Sequence, residues 1–372
     1  MKRRWSGFSL LALTVAAAAL AEEEAMSAEQ PTLRLVTLAE DFDEPWGLAV
    51  LPGELYLITE RSGRIVSVFN GERQEVGGLP SLYANDAGGL HDIIASPDFP
   101  DTGWLYFTYA SGDADATATS LARGRLAGDQ LTDVEELFKE NRPSEPGRRH
   151  GSRLAWLQDD SLLMSVGDRG DPERAQDTED HAGSILRMDP AGLALEDNPL
   201  FHEAGHLPRL YSWGHREVQG IATDPESGDV WVVEARPSGN DELNRIEPGE
   251  NHGWPELTLG EDAGSRGILE EIASTDESLV KPVHRFDGSI DPTGLALIRG
   301  ERYPQWEGNL IVGGQESETL YRVEVSGDEV DVEPLLSESI GPVRDVRLGP
   351  DGYLYILTGG SDAALHRLEP AE

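Results

Sequence analysis

One hairpin-like pattern recurs six times along this chain and constrains its fold more than any other feature. Each copy is an alternating apolar strand, a turn containing Pro, Gly or Asp, and a second apolar strand. The copies lie at 46–50 with 55–58, 92–94 with 104–107, 154–156 with 162–165, 220–222 with 230–233, 294–297 with 309–312, and 345–348 with 353–356. Hairpins repeated at intervals of roughly 40–80 residues indicate one four-stranded sheet per copy. The pattern predicts an all-β, six-bladed β-propeller, because radial repetition leaves only short sheet edges exposed.

The alternative fold is a β-sandwich in which the similarity between the hairpins is accidental. The 41 Gly and 23 Pro suit many short strands joined by turns. We favour the propeller because the hairpins repeat along the whole chain. Two longer insertions, 169–210 and 234–290, are expected to form loops on one face, where functional residues usually lie.

The first 21 residues have the pattern of a secretory signal peptide. A basic start, an apolar run over 8–20 and small residues at 19–21 are followed at once by three glutamates. The alternative is a membrane anchor, but the run is too short to span a bilayer comfortably. We expect a signal peptide at 1–21, a flexible segment at 22–34, a propeller domain at 35–372, and a periplasmic or secreted protein.

The chain is strongly acidic, with 69 Asp and Glu against 30 Lys and Arg and a formal net charge of −39. So negative a surface repels nucleic acid and anionic lipid, and we expect neither as a partner. No later segment is long and apolar enough to be a membrane span. The absence of cysteine excludes disulfides and a lipid-modified cysteine.

Basic side chains precede three of the six predicted hairpins. His150 comes before the third, Arg216 before the fourth and Arg344 before the sixth. Equivalent positions in different blades converge on one mouth of a propeller's channel, so these side chains are expected in one pocket. A histidine titrates near neutrality and takes a proton from a hydroxyl group, while arginines attract an anion. The alternative at each position is a loop residue paired with a nearby carboxylate.

An oxygen-rich segment, 234–244, is followed by Asn251-His252-Gly253-Trp254-Pro255. Such loops bind Ca²⁺ through backbone carbonyls and carboxylates. Composition alone favours an ordinary polar turn here.

A set of short motifs occurs in a fixed order along the chain. They are Gly89-Leu90, Ser96-Pro97-Asp98-Phe99, His150-Gly151-Ser152-Arg153-Leu154, Val166-Gly167-Asp168-Arg169-Gly170, Ala175-Gln176-Asp177, His181-Ala182-Gly183, Gly214-His215-Arg216, Asp241-Glu242-Leu243-Asn244, Asn251-His252-Gly253-Trp254-Pro255, Trp306-Glu307-Gly308-Asn309-Leu310 and Arg344-Asp345-Val346. Together they resemble the soluble aldose (glucose) dehydrogenases that use pyrroloquinoline quinone (PQQ). The resemblance covers residues 35–368.

This resemblance implies a six-bladed propeller with PQQ and Ca²⁺ in the central mouth. His150 matches the catalytic base, which takes the proton of the sugar's anomeric hydroxyl while a hydride goes to the quinone. Arg216 matches the arginine beside the quinone oxygens, and Glu217 follows it at a cofactor-binding position. Arg344 matches an arginine near the cofactor carboxylates. The substrate is then a small-molecule sugar, the product its lactone, and an external electron acceptor reoxidises the cofactor.

The resemblance also implies two calcium sites. Arg236 and Pro237 match positions whose carbonyls hold the cofactor's Ca²⁺. Glu242 and the carbonyl of His252 match ligands of a second, structural Ca²⁺.

Four positions depart from the family pattern. Ala87 replaces a glutamine, Glu217 an asparagine, Glu316 a lysine and Pro342 an arginine. PQQ carries three carboxylates and needs cations to bind, so a Lys-to-Glu change turns an attraction into a repulsion. Compensation is expected from Arg148, Arg149 or Ca²⁺.

Three functions remain open from the sequence. The first is a PQQ- and Ca²⁺-dependent sugar dehydrogenase, which we favour because His150 and Arg216 are in place. The second is a carbohydrate- or partner-binding propeller that has lost the cofactor. The third is a Ca²⁺-dependent lactone hydrolase, a chemistry also found on six-bladed propellers.

Overall fold

The computed structural model describes residues 33–237, 239–257, 278–337 and 339–371. The predicted signal peptide and positions 22–32 of the predicted flexible segment lie outside the described residues; Leu33 and Arg34 begin the first strand. The described chain forms six four-stranded antiparallel sheets around a central channel. The predicted all-β, six-bladed propeller is therefore confirmed. None of the helices among the described residues is long and apolar enough to cross a membrane.

Each blade is listed from its innermost to its outermost strand. Blade 1 holds β2 (Pro45–Leu51), β3 (Leu55–Glu60), β4 (Arg64–Phe69) and β5 (Glu72–Val76), blade 2 holds β6 (Leu90–Ala95), β7 (Trp104–Gly112), β8 (Thr117–Ala127) and β9 (Gln130–Lys139), and blade 3 holds β10 (Gly151–Trp156), β11 (Leu162–Val166), β12 (Ser184–Met188) and β13 (Leu210–Trp213). Blade 4 holds β14 (Val218–Thr223), β15 (Val230–Glu234), β16 (Glu242–Arg245) and β17 (His284–Arg285), blade 5 holds β18 (Pro292–Leu297), β19 (Leu310–Gly314), β20 (Thr319–Ser326) and β21 (Glu329–Ser337), and blade 6 holds β22 (Val343–Leu348), β23 (Leu354–Thr358), β24 (Ala364–Pro370) and β1 (Leu33–Glu40). The short helical turns are α1 (Phe99–Thr102) and 3₁₀ helices at Pro172–Gln176 and Pro304–Trp306.

The ring is closed by pairing the two ends of the described chain. Strand β1 adds to β24 in antiparallel register, from Leu33 opposite Pro370 to Glu40 opposite Ala364. Blade 6 thus takes its outermost strand from the beginning of the chain. This pairing removes the free edge that β24 would otherwise expose.

The six hairpins predicted from the sequence are the two innermost strands of the six blades. The prediction that 169–210 and 234–290 form only loops is wrong, because β12 lies in the first and β16 and β17 lie in the second. These strands supply the outer half of blades 3 and 4. They are short, and long connections separate them, which hid their period-two pattern.

Six apolar clusters hold the blades together, one at each contact between neighbouring blades. Between blades 1 and 2, for example, Leu57 packs in one cluster with Phe107. Between blades 5 and 6, Ile311 shares a cluster with Ile356. Each such buried side chain contributes about 1.5–3 kcal/mol of transfer free energy, so the blades stabilise one another.

A buried ionic network closes the channel at its axis. The guanidinium Nη1 of Arg153 lies 2.9 Å from Asp345 Oδ1, and Arg347 reaches Asp345 Oδ2 at 3.0 Å and Asp92 Oδ1 at 2.5 Å. The side chains of Asp92 and Asp345 are fully buried, and that of Arg153 is 1% exposed. The network joins the innermost strands of blades 2, 3 and 6.

The same carboxylates also tie neighbouring strands through the backbone. Asp92 Oδ2 accepts the Leu154 N–H of blade 3 at 2.9 Å, and Asp345 Oδ2 accepts the Leu48 N–H of blade 1 at 3.0 Å. Each aspartate therefore satisfies a strand N–H that faces the channel, where no further strand is available to pair with it.

We predict that Asp345→Asn destabilises the fold by about 3–5 kcal/mol, because it leaves Arg153 buried without its closest counter-charge. Asp229→Asn is the matched control, since its partner Arg245 is 49% exposed and such surface pairs contribute about 1 kcal/mol or less. Chemical denaturation of both variants measures the difference. Equal, small losses in the two variants would show that the axial network does not hold the blades.

Candidate active site

A cavity of about 710 Å³ opens at the mouth of the channel where the innermost strands begin. This volume lies within the usual range of small-molecule sites. All six blades contribute to it, through Trp46 and Arg61 of blade 1, His91 of blade 2, His150 at the entry to blade 3, Glu217 at the entry to blade 4, Thr293 of blade 5 and Arg344 of blade 6.

The innermost strands carry a common irregularity that aims side chains into this cavity. In every blade the pairing of the first two strands shifts register close to the cavity. Trp46, Gln219 and Arg344 are the residues skipped in blades 1, 4 and 6, and all three line the cavity. A bulge re-aims a side chain that regular alternation would direct elsewhere, so the site depends on these register shifts.

His150 is buried in the cavity wall as a neutral base. Its Nδ1 lies 2.8 Å from Thr119 Oγ1 on β8, and its Nε2 is buried with no hydrogen-bond partner in the described chain. Burial, then the charge of Arg169, then His91 lower the pKa of His150 well below its usual value. With Nδ1–H donated to Thr119, the lone pair of Nε2 is free to accept a proton.

A second histidine, His91, lies against the first and was not identified from the sequence. Its ring centroid is 5.0 Å from that of His150 and 5.3 Å from that of Trp46. Its Nδ1 lies 3.0 Å from Ser152 Oγ, and burial is the main cause that lowers its pKa to about 3. His91 lies two residues before Ile93, the first apolar residue of the second hairpin, just as Arg344 lies two residues before Val346 in the sixth. This equivalent position is the sequence signal that could have identified His91.

The structure brings His150 and Arg344 into one cavity, and Arg216 lies next to two of its lining residues, Glu217 and Ala235. Arg344 lies 4.3 Å from the centroid of Trp46, and burial lowers its pKa without removing its charge. Arg216 does not line the cavity; its Nη1 donates at 2.7 Å to the carbonyl of Ala235, which does. Of the three side chains expected to converge, His150 and Arg344 line the same cavity and Arg216 does not.

All four positions that depart from the family pattern line this cavity, namely Ala87, Glu217, Glu316 and Pro342. Burial raises the pKa of Glu217 to about 7, although Arg216 and Arg149 oppose the shift. Arg149 cannot supply the expected compensating charge, because both Asp168 oxygens accept from its Nη1 at 2.8 and 3.0 Å. The departures thus change the charge of the cavity itself.

Arg61, at the turn after β3, also lines the cavity and was missed from the sequence. Its Nη2 donates to the carbonyl of Asp86, and its Nε is buried without a partner in the described chain. The only sequence feature that points to Arg61 is its position in a turn, and this feature does not distinguish it from other arginines in turns.

Of the two residues expected at the second calcium site, Glu242 pairs with two arginines, while the carbonyl of His252 remains a prediction. Arg236 Nε donates at 2.8 Å to Glu242 Oε2, and Arg285 Nε donates at 3.2 Å to Glu242 Oε1. With both oxygens held by guanidinium groups, Glu242 does not fit a calcium ligand. His252 stacks on His215 at 4.8 Å, and its imidazole pKa is lowered to about 3, chiefly by burial.

The cofactor's calcium was expected at Arg236 and Pro237, which line a small crevice beside the main cavity together with Glu242. No group of three or more His, Asp or Glu side chains in the described ranges is arranged to hold a metal ion. Binding of the cofactor's calcium by the backbone carbonyls of Arg236 and Pro237 remains a prediction.

Comparison with known proteins agrees with this geometry. The glucose/sorbosone dehydrogenase family model matches residues 42–367. Aldose sugar dehydrogenase YliI of Escherichia coli is 31% identical, over 93% of this chain and 95% of that protein. The crystal structure of soluble aldose sugar dehydrogenase from Escherichia coli, in the apo-form, matches with a TM-score of 0.85 and 31% identity, over 91% of this chain and 100% of that one. The PQQ-bound aldose sugar dehydrogenase of Streptomyces coelicolor matches with a TM-score of 0.72 and 27% identity, over 92% of this chain and 99% of that one.

The resemblance first seen in the ordered motifs is thereby confirmed over nearly the whole described chain. Relatives with this fold are sugar dehydrogenases, which supports a sugar oxidoreductase acting on a small-molecule sugar. The cavity at the channel mouth, with an imidazole nitrogen and a guanidinium group, is the candidate site for that chemistry. The chain belongs to the glucose/sorbosone dehydrogenase family.

Proposed function

We propose that this protein is a PQQ-dependent aldose dehydrogenase that oxidises the anomeric hydroxyl of a sugar to the lactone. The observation that carries the proposal is the buried, unpartnered Nε2 of His150 in a cavity of about 710 Å³ that also holds Arg344. Two cavity guanidinium groups suit an anionic cofactor, and a PQQ-bound relative shares the fold. The pattern of residues 1–21 supports export, so we propose a periplasmic or secreted location with an external electron acceptor.

The residues of the chain supply proton transfer and charge. When bound, PQQ supplies the acceptor for the hydride that leaves the anomeric carbon. His150 Nε2 takes the hydroxyl proton, while Thr119 holds Nδ1 and fixes the ring. Arg344 stabilises negative charge inside the cavity, and Arg216 adds its positive charge from the wall.

A cofactor-free sugar- or partner-binding propeller is the second candidate. It is favoured by the finding that all four departures line the cavity, where Glu217 and Glu316 repel an anion. Calorimetry separates the two candidates, because the second binds sugar but no quinone.

Reconstitution is the direct test. Apoprotein is mixed with PQQ and Ca²⁺, supplied with aldoses and a dye acceptor, and dye reduction is followed. We expect turnover in the wild type and a loss of about 100-fold or more in His150→Ala, the usual scale of a general base. Absence of turnover with every aldose would reject the dehydrogenase, and turnover unaffected in His150→Ala would reject the base.

We predict that kcat/KM does not fall with a midpoint near the usual histidine pKa of about 6.5. Because burial lowers the pKa of His150, its base form is already present at mildly acidic pH, and loss of rate begins only below the usual range. A pH profile of the reconstituted enzyme measures this. An acid limb centred near about 6.5 would contradict a buried neutral His150.

We predict that quinone affinity falls as pH rises through about 7, where Glu217 loses its proton and becomes negative. Glu217→Gln removes this charge and is expected to bind quinone about tenfold more tightly than the wild type at alkaline pH. Glu226→Gln is the control in the same blade, because Glu226 is 74% exposed and lies outside the cavity. Parallel pH profiles for wild type and Glu217→Gln would contradict the assignment.

We predict that Glu242 binds no metal ion, because two arginines already neutralise its carboxylate. EDTA should therefore remove nothing from Glu242 that would lower the thermal unfolding temperature of the quinone-free protein. Glu242→Gln should destabilise the fold by about 3 kcal/mol with or without chelator, since it leaves Arg236 buried and unpaired. An EDTA effect that is present in the wild type and absent from Glu242→Gln would show instead that Glu242 binds a metal. The cofactor's calcium, expected at the carbonyls of Arg236 and Pro237, would give an EDTA effect in both proteins.

A further inference from the structure

The ionisable side chains that line the cavity differ in type from one blade to the next. The guanidinium groups come from adjacent blades, Arg61 from blade 1 and Arg344 from blade 6. The two imidazoles, His91 and His150, come from blades 2 and 3. The cavity therefore has a cationic side and, next to it, a side that carries the neutral bases.

The adjoining side of the same cavity, on blades 4 and 5, is acidic. Glu217 comes from the entry to blade 4, and Asp291 and Glu316 come from blade 5. Burial raises the pKa of both Glu217 and Asp291. An anionic group entering the cavity is repelled from this side and attracted to the other.

Neither cavity arginine is neutralised at close range within the described chain. Arg344 has no carboxylate within 4.0 Å, and its Nη1 makes one long hydrogen bond of 3.4 Å to Gln219. Arg61 has Glu44, which also lines the cavity, 4.0 Å from its Nε and 67% exposed, and this Nε makes no hydrogen bond within the described chain. By contrast, Arg153 and Arg149, which lie close to the site, are each paired with an aspartate at 2.9 Å or less.

The two groups also act on each other. Arg61 is among the positive neighbours that lower the pKa of Arg344, after burial and Arg153. Two like charges on one wall of a cavity repel until an anion lies between them. The Arg344 guanidinium packs 4.3 Å from the centroid of the Trp46 ring, which holds it at this wall of the cavity.

We propose that Arg61 joins Arg344 in binding the cofactor's carboxylates, and that Arg61 replaces the cations lost at Glu316 and Pro342. The inference rests on the proposed function and deepens it. The carboxylate-bearing end of the cofactor then lies towards blades 6 and 1. Arg61 donates through its Nε, which makes no hydrogen bond within the described chain, and so requires the guanidinium fork rather than charge alone.

The test compares PQQ with its trimethyl ester, which keeps the ring system but has no carboxylate. Binding to quinone-free protein is measured by calorimetry and by quenching of tryptophan fluorescence, at one fixed Ca²⁺ concentration. Arg61→Gln is expected to weaken PQQ binding by about 10- to 100-fold, the usual effect of losing a charged hydrogen-bond partner. Affinity for the ester is expected to change by less than about threefold.

Two further variants serve as a matched control and as a test of charge without the guanidinium group. Arg64→Gln is the matched control at the start of β4, because Arg64 pairs with Asp43 and Glu60 outside the cavity. It should bind both ligands as the wild type does. Arg61→Lys keeps the charge without the fork and should lose about tenfold for PQQ only. This variant also gives an answer if thermal scans show that Arg61→Gln is unfolded.

The outcomes separate this inference from the proposed function. Wild-type PQQ affinity in both Arg61 variants, or an equal loss for PQQ and ester, overturns the role of Arg61 and leaves the dehydrogenase intact. A wild-type protein that binds neither PQQ nor its ester overturns the proposed function and this inference with it.

Discussion

The site depends on how six innermost strands approach one axis. Two aspartates and two arginines occupy the centre, with Asp92 and Asp345 each held by a guanidinium and by a strand N–H from a neighbouring blade. Next to these aspartates, glycine lets the strands come close: a Cβ on Gly47 would lie 3.0 Å from Asp92 Cα, and one on Gly294 would lie 2.4 Å from Val346 N. Buried charges are costly unless every partner is present, so this network fixes the relative position of the blades. It also forms the floor under Trp46, whose ring lies 4.2 Å from the Arg153 guanidinium.

Much of this architecture could be predicted from the sequence, because the inner hairpins are buried on both sides and keep a clear period. The outer strands could not. Strand β17 is only two residues long, and β16 follows an irregular loop, so their pairing depends on contacts made far along the chain. The closing pair of β1 and β24 joins positions more than 300 residues apart, which only the completed ring brings together. Local patterns therefore indicate the number of blades but not the composition of each blade.

The candidate site was predictable to a lesser degree, for a different physical reason. His150 and Arg344 were found because their positions relative to the hairpins are equivalent, and the four departures were located correctly enough to meet in one cavity. Arg61 and His91 were missed because their roles depend on which way a turn or a bulge aims the side chain. Arg216 and Glu242 show the converse: a matching position does not reveal that the guanidinium of Arg216 turns to the Ala235 carbonyl, or that Arg236 reaches Glu242. Side-chain partners, rather than backbone positions, decide which charges a ligand meets.

The difference between an arginine that is paired with a carboxylate and one that is not explains how so acidic a chain presents positive charge to a ligand. Several arginines stand near the cavity, but Arg149 is bound by Asp168 and Arg169 by Glu140, so each contributes a nearly neutral pair at a distance. A charge matters to a ligand only when burial weakens its screening and no counter-ion has already neutralised it. Arg344 meets both conditions, and Arg61 meets them in part. In this chain the two guanidinium groups that line the cavity come from the adjacent blades 6 and 1. The cationic wall of this cavity therefore depends on two arginines from adjacent blades that no carboxylate holds closely.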